Sequence, residues 1–303
     1  MNAAGPSPIG VIGHFNLLER LEPSGPGDLY RARDTRAGRT VAIRLLPADF
    51  APSRAEREEL MARVAALSAL SHPNIVTLFA SGEHDGRLYF AFEYSKGQAL
   101  RAEMSGRPLN VRRAVELAVQ IADAVAGAHA QGFVHGGLSP ESITVTPKGA
   151  AKIPAFDLAA QNGYQSADGG YRLHDYDSPE ESRGERPDDR SDVYSVGAIL
   201  YEMLTGRRPN PRGAAAPSAA NPHVVKALDA LVLRAVSPHP DSRPQAAVIL
   251  AAELRAVLGE IDAVGGAPDE RDEGPAVAGP QRLLVPAVVV LVVVLIAWLL
   301  LRP

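Results

Sequence analysis

The N-terminal part of the chain, residues 12–94, shows two patterns of hydrophobic residues. Short apolar runs separated by turn residues, such as 40–46 (TVAIRLL) and 88–94 (LYFAFEY), predict the strands of a small sheet. Residues 56–70 instead carry apolar side chains every three or four positions, which predicts one helix. These apolar positions are Leu60, Val64, Leu67 and Leu70. The pattern predicts a β-rich lobe that contains a single helix.

The following part of the chain, residues 95–260, has a helical pattern. Residues 111–130 form a long apolar stretch with helical spacing, and residues 191–204 form a second one that ends at Thr205-Gly206. Between them and the next helical stretch, residues 210–222 are rich in Ala, Pro and Gly, which predicts a loop. We therefore expect a helical second lobe and an α+β fold class.

The last apolar stretch differs from both lobes because it has no polar face. Residues 283–301 are apolar throughout, and about 19 residues in a helix cover the roughly 30 Å hydrocarbon core of a bilayer. We predict a transmembrane helix over 283–301. Residues 261–282 contain Gly, Pro and an acidic cluster, a composition that predicts a flexible linker.

Composition narrows the function classes. The chain has 303 residues, a net charge of −4 and no cysteine, so disulfides, cysteine-ligated zinc and thiol catalysis are excluded. The net charge does not favour nucleic acid as a partner, and the sequence contains no basic tract that would. The eight histidines lack metal-ligand spacing, and we predict no metal site.

The N-terminus lacks the basic start and apolar run of a signal peptide. Only Arg302 and Pro303 follow the predicted span, and Arg282 and Arg302 flank it too evenly to orient it by charge. We expect a single-pass, tail-anchored protein of the cell membrane with its N-terminal domain in the cytoplasm.

Several motifs resemble those of bacterial Hanks-type serine/threonine protein kinases. They include VAIR at 41–44, HGGLSPES at 135–142, AFD at 155–157 and SPE at 178–180. The resemblance covers residues 10–260. It implies a two-lobed protein-kinase-like domain, with the N-lobe at 10–94 and the C-lobe at 95–260.

The same motifs depart from the family pattern at the positions that carry phosphoryl transfer. The resemblance implies a catalytic base at Gly137, a phosphate-neutralising lysine at Ser139, and two magnesium ligands at Ser142 and Ala155. None of these four residues has the side chain that the role requires. We expect them to be degenerate counterparts of catalytic residues.

The expected nucleotide pocket is altered as well. The family's phosphate-covering glycines align with Glu22, Ser24 and Gly27, so only the third is retained. Its lysine and the glutamate that holds this lysine align with Arg44 and Arg63. The resemblance also assigns vestigial cofactor-binding roles, and these would fall on Gly27, Ala42, Arg44, Glu93 and Tyr94. We expect no cofactor, with binding of ATP without metal as the alternative.

The residues that hold a kinase fold together are retained. The resemblance implies an internal stack anchored by an aspartate at the start of the 191–204 helix, and a buried ion pair between Glu180 and Arg243. The stack and its anchor correspond to Leu67, Leu78, His135, Phe156 and Asp192.

Three hypotheses for function follow. The first is a catalytically inactive, membrane-tethered pseudokinase that scaffolds or allosterically regulates a protein partner, such as an active kinase. The second is an unorthodox serine/threonine kinase, or a nucleotidyl-transferring relative, that retains ATP binding and uses Arg44, Glu59 and Asp157. The third is an unregulated soluble headpiece on a membrane anchor.

Overall fold

The computed structural model describes residues 8–21, 27–50, 53–154 and 175–265. Residues 1–261 form one compact unit, and residues 262–303 form a second. The first unit contains the two-lobed protein-kinase fold that the sequence predicts.

The N-lobe is a six-stranded antiparallel sheet with the strand order β1-β2-β3-β4-β6-β5. Alternating apolar residues form the strands, because side chains on one face of each strand are buried together. The strands are β1 (Gly10–Ile12), β2 (Phe15–Leu21), β3 (Asp28–Asp34), β4 (Arg39–Leu45), β5 (Leu78–His84) and β6 (Arg87–Glu93). One face of the sheet forms its own small core, which includes Phe15, Val41 and Ile43.

Helix α1 (Arg54–Leu67) is the single helix of this lobe. It begins at a capping box, in which the Ser53 side chain accepts from the Glu56 amide and the Glu56 carboxylate accepts from the Ser53 amide. Leu60, Val64 and Leu67 are buried against the rest of the core. The predicted helix extended to Leu70, but the chain leaves the helix after Leu67 in a tight turn.

The C-lobe is mainly helical. Its helices are α2 (Leu100–Met104), α3 (Val111–His129), α4 (Asp189–Thr205), α5 (Lys226–Ala235) and α6 (Ala247–Gly265). The strands β7 (Gln98–Ala99), β8 (Thr144–Val145) and β9 (Ala151–Lys152) form a small sheet in the order β7-β8-β9. Helix α4 is buried along almost its whole length, and it forms the centre of this lobe.

Residues 210–222 contain no α-helix, as the sequence predicts. The segment has one 3-10 turn (Pro217–Ala219), and α5 begins only at Lys226. The Asn221 side-chain amide donates to the Leu204 carbonyl at 3.0 Å, which fixes the loop on the end of α4.

Helix α6 continues past the predicted start of the linker at residue 261. It ends at Gly265, and Ile261, in its last turns, still packs against the hydrophobic core. The remainder of the linker, from 266 to 282, and the predicted span, 283–301, lie outside the described residues. Among the residues that the structure describes, none of the helices has the length and hydropathy of a membrane span.

Candidate functional site: the cleft and the catalytic-loop segment

Asp192 fixes the backbone of the segment 135–142, which we call the catalytic-loop segment. Its carboxylate is fully buried and accepts from the amides of His135 at 2.7 Å and Gly136 at 2.9 Å. The His129 ring lies 2.7 Å from the same carboxylate through Nε2. Asp192 also lies in the first turn of α4, where the helix dipole favours negative charge. The buried charge is therefore stabilised from several sides.

Gly136 follows His135 in a backbone conformation that favours glycine. Its φ is +60°, in the left-handed region, and a Cβ at this position would lie 3.2 Å from Cγ of Pro187. The glycine therefore relieves strain where the chain turns over Asp192. Any side chain at this position would need Pro187 to shift by a few tenths of an ångström.

The remaining degenerate positions lie within the same segment. Gly137 has no side chain to offer. The Ser142 hydroxyl donates to the Ser139 carbonyl at 2.9 Å, and the Ser142 amide donates to the same carbonyl at 3.1 Å. Ser142 thus closes a local turn, a role that short hydroxyl side chains commonly take. Ala155, the fourth position, lies outside the described residues.

The one carboxylate of the catalytic-loop segment, Glu141, is bound to an arginine. Arg101 on α2 donates from Nε to Glu141 at 2.7 Å and from Nη1 to Glu202 on α4 at 2.7 Å. Its third nitrogen bonds to the hydroxyl of buried Tyr176, which in turn bonds to Glu202. Burial is the largest single effect and raises the pKa of Glu141, but the hydrogen bonds that its carboxylate accepts and the charge of Arg101 together outweigh it, so the pKa lies below its usual range. Glu141 is thus an ionised structural partner of Arg101.

Glu180 and Arg243 form the buried ion pair that the resemblance implies. The guanidinium makes two bonds to the carboxylate, 2.6 and 2.8 Å long, and the Arg243 side chain is 0% exposed. Ser191 adds a further donor to Glu180 at 2.9 Å. Burial opposes ionisation, but these donors lower the pKa of Glu180 to about 2. Sequence and structure agree on this contact.

The adjacent residue, Glu181, has no counterpart among the residues that the sequence singled out. It is buried, and burial raises the pKa of its carboxyl to about 7. Ser178 is its hydrogen-bond partner, through the amide at 2.9 Å and the hydroxyl at 2.7 Å. The SPE motif singles out Glu180 as the partner of Arg243, but no sequence signal shows that Glu181 is buried as well.

Gly27 is retained for a reason that lies within the N-lobe. Its φ is +82°, and a Cβ at this position would lie 2.2 Å from the carbonyl oxygen of Leu45. Close approach of β3 to the end of β4 therefore requires glycine here. The aligned Glu22 and Ser24 lie outside the described residues.

Ala42 and Arg44 lie on one face of β4 with alternating spacing. Ala42 pairs with Arg31 and Phe92, and Arg44 pairs with Leu29 and Phe90. Both are partly buried.

The second aligned arginine, Arg63, lies on α1. Burial lowers its pKa, and the nearby Glu59 partly offsets this effect. The charge of Glu59 therefore stabilises the charged form of Arg63.

The hinge between the lobes contains a side-chain contact that sequence reasoning missed. Lys152 Nζ lies 2.7 Å from the Glu93 carboxylate, which also accepts from the Thr77 amide at 3.3 Å. The Glu93 amide donates to the Thr77 carbonyl at 2.8 Å. Glu93 is thus fixed to Thr77, just before β5, and to Lys152 on β9. A single lysine between the apolar residues Ala151 and Ile153 was the available signal.

Tyr94, the other hinge residue that the resemblance singled out, lies close enough to Arg31 to raise the pKa of that arginine, although the Glu19 hydrogen bond contributes more.

The expected internal stack is described in part. Leu67 and Leu78 are buried in the main hydrophobic core, and His135 is 1% exposed. Phe156 lies outside the described residues. No cluster of metal-ligating side chains occurs in the part of the chain that the structure describes.

This arrangement matches known proteins in sequence and in structure. The protein kinase domain family model matches residues 24–254. The serine/threonine-protein kinase PknB of Mycolicibacterium smegmatis is 35% identical over 288 residues, which cover 87% of this chain and 45% of the relative. The serine/threonine-protein kinase pkn3 of Myxococcus xanthus is 31% identical over 294 residues, covering 88% of this chain and 54% of the relative.

The chain thus spans about half the length of the curated relatives it matches. A crystal structure of the Mycobacterium tuberculosis PknI kinase domain superposes with a TM-score of 0.67. It shares 22% identity and covers 84% of this chain and 99% of its own, which supports the fold. On the family match over residues 24–254, this chain belongs to the protein kinase domain family.

Proposed function

We propose that this chain is a pseudokinase, a protein-kinase domain that binds and regulates a protein partner without transferring phosphate. The catalytic-loop segment carries this proposal. Gly137 offers no base, Ser142 closes a turn on Ser139, and the segment's one carboxylate is bound by Arg101. The segment's backbone is nevertheless held firmly by buried Asp192. The residue that holds the loop backbone is therefore present, whereas this segment lacks the side chains that phosphoryl transfer would use.

The chemistry explains why these substitutions matter together. Phosphoryl transfer depends on metal ions and cations that stabilise charge on the transferred group, and on a residue that accepts the substrate proton. Losing a general base alone costs about 10² to 10⁴ in rate. Here the base, the phosphate lysine of the loop and both metal positions are substituted at once.

The retained structure supports an interaction role. The Glu180–Arg243 pair and the Arg101 network fix the surface formed by residues 175–184 against α2 and α4. We propose that this C-lobe surface engages the partner, with an active protein kinase as one candidate. We further propose that residues 283–301 insert into the membrane and that residues 266–282 tether the domain to it.

A second candidate is an active serine/threonine protein kinase, and a specific observation favours it. Relatives that are 31% and 35% identical are named serine/threonine-protein kinases. Partly buried Arg44 occupies the position of the phosphate lysine, and it would have to bind nucleotide in that lysine's place. This candidate requires magnesium-dependent nucleotide binding. The pseudokinase permits at most ATP binding without metal, through Ala42, Glu93 and Tyr94.

Phosphate transfer decides between the two. The full-length chain is incubated with radiolabelled ATP and either Mg²⁺ or Mn²⁺, and incorporation into the chain and into a generic protein substrate is measured. The pseudokinase predicts incorporation no greater than that of the heat-denatured chain. Metal-dependent transfer by the wild-type chain would overturn it. Loss of that transfer in Asp157→Ala and Arg44→Ala would then establish the unorthodox kinase.

The partner and membrane proposals need their own tests. Crosslinking of the full-length chain in its native cells should capture a defined partner, and Arg101→Ala should weaken the capture. Deleting residues 283–301 should move the chain from the membrane fraction to the soluble fraction. Unchanged fractionation would contradict the span. Capture unaffected by deletion of residues 10–260 would contradict the scaffold.

A further inference from the structure

The Glu181 carboxyl is buried at the junction of three segments. The residue opens a 3-10 turn (Glu181–Arg183) and is 6% exposed. One oxygen accepts from the Ser178 amide and hydroxyl. The other lies 3.9 Å from where a Cβ of Gly136 would stand. Gly136 itself is bonded to Asp192 at the start of α4. The turn, the catalytic-loop segment and α4 therefore meet at this carboxyl.

The charges around this carboxyl disfavour its ionisation. Asp177 and Asp192 both add negative potential, and they reinforce the cost of burial. Four cations of the surrounding segments bind other acids. Arg243 binds Glu180, Arg190 binds Asp188 and Asp241, Arg183 binds Glu185, and His129 contacts Asp192 and Asp189. Two neutral Ser178 donors are the hydrogen bonds that Glu181 receives from the described residues.

We propose that Glu181 is a pH-operated latch. In its neutral form, the carboxyl stays packed against Ser178 and Gly136 and holds the turn on the catalytic-loop segment. In its ionised form, it leaves the buried site for water and releases the turn. The proposal goes beyond the pseudokinase assignment, because the latch would operate in an active kinase as well.

The direction of the effect follows from proton linkage. Burial raises the pKa of Glu181 from 4.5 to about 7, so the closed turn binds its proton more tightly than the open turn. Opening therefore becomes more favourable as pH rises from about 4.5 to about 7, by close to tenfold per pH unit. Above about pH 7 both forms are ionised, and the opening equilibrium becomes constant.

Hydrogen exchange of the full-length chain tests the latch directly. The amides of Ser182, Arg183, Gly184 and Glu185 form hydrogen bonds within this turn, to the carbonyls of Ser178, Glu180 and Glu181. After correction for the intrinsic exchange rate, their protection should fall about tenfold per unit between pH 5 and 7. It should then become constant. In Glu181→Gln, which mimics the neutral carboxyl, protection should be high and independent of pH.

A matched control is Glu185→Gln, which removes an exposed acid paired with Arg183 in the same turn. It should keep the wild-type pH dependence. Identical pH profiles in the wild type and Glu181→Gln would overturn the latch. Carbon-13 NMR of the Glu181 carboxyl provides a second measurement that needs no variant. A titration midpoint near 4.5 would overturn the proposal, and a midpoint near 7 would support it.

Discussion

Glu180 and Arg243 lie 63 residues apart in the chain, yet two hydrogen bonds, 2.6 and 2.8 Å long, join their side chains in the buried C-lobe. Arg243 also donates to the carbonyls of Ser237 at 2.8 Å and Arg190 at 2.9 Å. The guanidinium therefore links the 178–184 turn, the start of α4 and the chain before α6. Its removal would leave a buried carboxylate without its main donor.

We expect Arg243→Ala to lower the free energy of unfolding by about 3 to 5 kcal/mol, because one charge of a buried pair loses its partner. Urea denaturation of the full-length chain measures this. The matched control is Arg183→Ala, which breaks the exposed Arg183–Glu185 pair and should cost less than about 1 kcal/mol. Equal losses in the two variants would show that the buried pair contributes no more than a surface pair.

Acid should destabilise the C-lobe through Glu180. Its pKa falls from 4.5 to about 2 in the folded chain, so its contribution is complete above about pH 4.5 and is lost as pH falls toward 2. Unfolding free energies measured at pH 5, 4 and 3 should therefore decrease. Glu180→Gln should start lower at pH 5 and lack this component of the decrease. A variant with the wild-type slope would mean that other carboxylates cause the acid sensitivity.

Glu181 should act in the opposite direction. Because the folded-state pKa is raised to about 7, stability falls as pH rises from about 4.5 to 7, by about 3 kcal/mol in total. Glu181→Gln should therefore be more stable than the wild type at pH 8 and close to it at pH 4.5. Thermal melting at both pH values checks this. A variant less stable than the wild type at pH 8 would contradict it.

Gly27 should tolerate no side chain, whether or not nucleotide binds. A Cβ there would meet the Leu45 carbonyl oxygen at 2.2 Å, so Gly27→Ala must displace backbone, and we expect a cost of about 2 kcal/mol or more. Gly86 is the matched control, since its φ is +74° but a Cβ would have nothing within 4 Å. Gly86→Ala should cost about 1 kcal/mol. Denaturant midpoints that shift equally in the two variants would exclude the close-approach explanation.

The Lys152–Glu93 contact should stabilise the hinge more than a surface ion pair would. Both side chains are partly buried, at 17% and 28% exposure. We expect a double-mutant cycle with Lys152→Met and Glu93→Gln to give a coupling of about 1 kcal/mol. The exposed Arg54–Glu58 pair of α1 serves as reference and should give about 0.3 to 0.5 kcal/mol. A coupling energy no larger than that of the reference pair would show that the hinge contact contributes no more than a surface ion pair.

Local pattern predicted the elements of both lobes closely. Alternation predicted β4 and β6, and a 3.6-residue period predicted α1, α3 and α4, because each element buries one face or stripe of its own sequence. Their ends were shifted by one to three residues in most cases. The limits of α1 and α6 depend on turns and on contacts such as that of Ile261 with the core, which hydrophobic spacing does not contain.

The sequence by itself determined which chemical groups this protein has at each aligned position. The amino-acid sequence alone shows that position 137 is glycine, that 139 and 142 are serine, and that 44 and 63 are arginine. The family motifs that surround them also determined the two-lobed fold. These inferences need only order along the chain, because motif spacing and hydrophobic period are properties of that order.

The family resemblance implied the Glu180–Arg243 pair, but only the tertiary structure decided which other groups meet and what charge the two adjacent glutamates carry. Glu180 and Glu181 are identical and adjacent in sequence. The fold places Arg243 on one and buries the other beside Ser178, so their pKa values move to about 2 and about 7. Likewise, only the fold brings Arg101 onto Glu141 and Lys152 onto Glu93. Burial and long-range pairing set these energies, and neither is encoded in the spacing of residues along the chain.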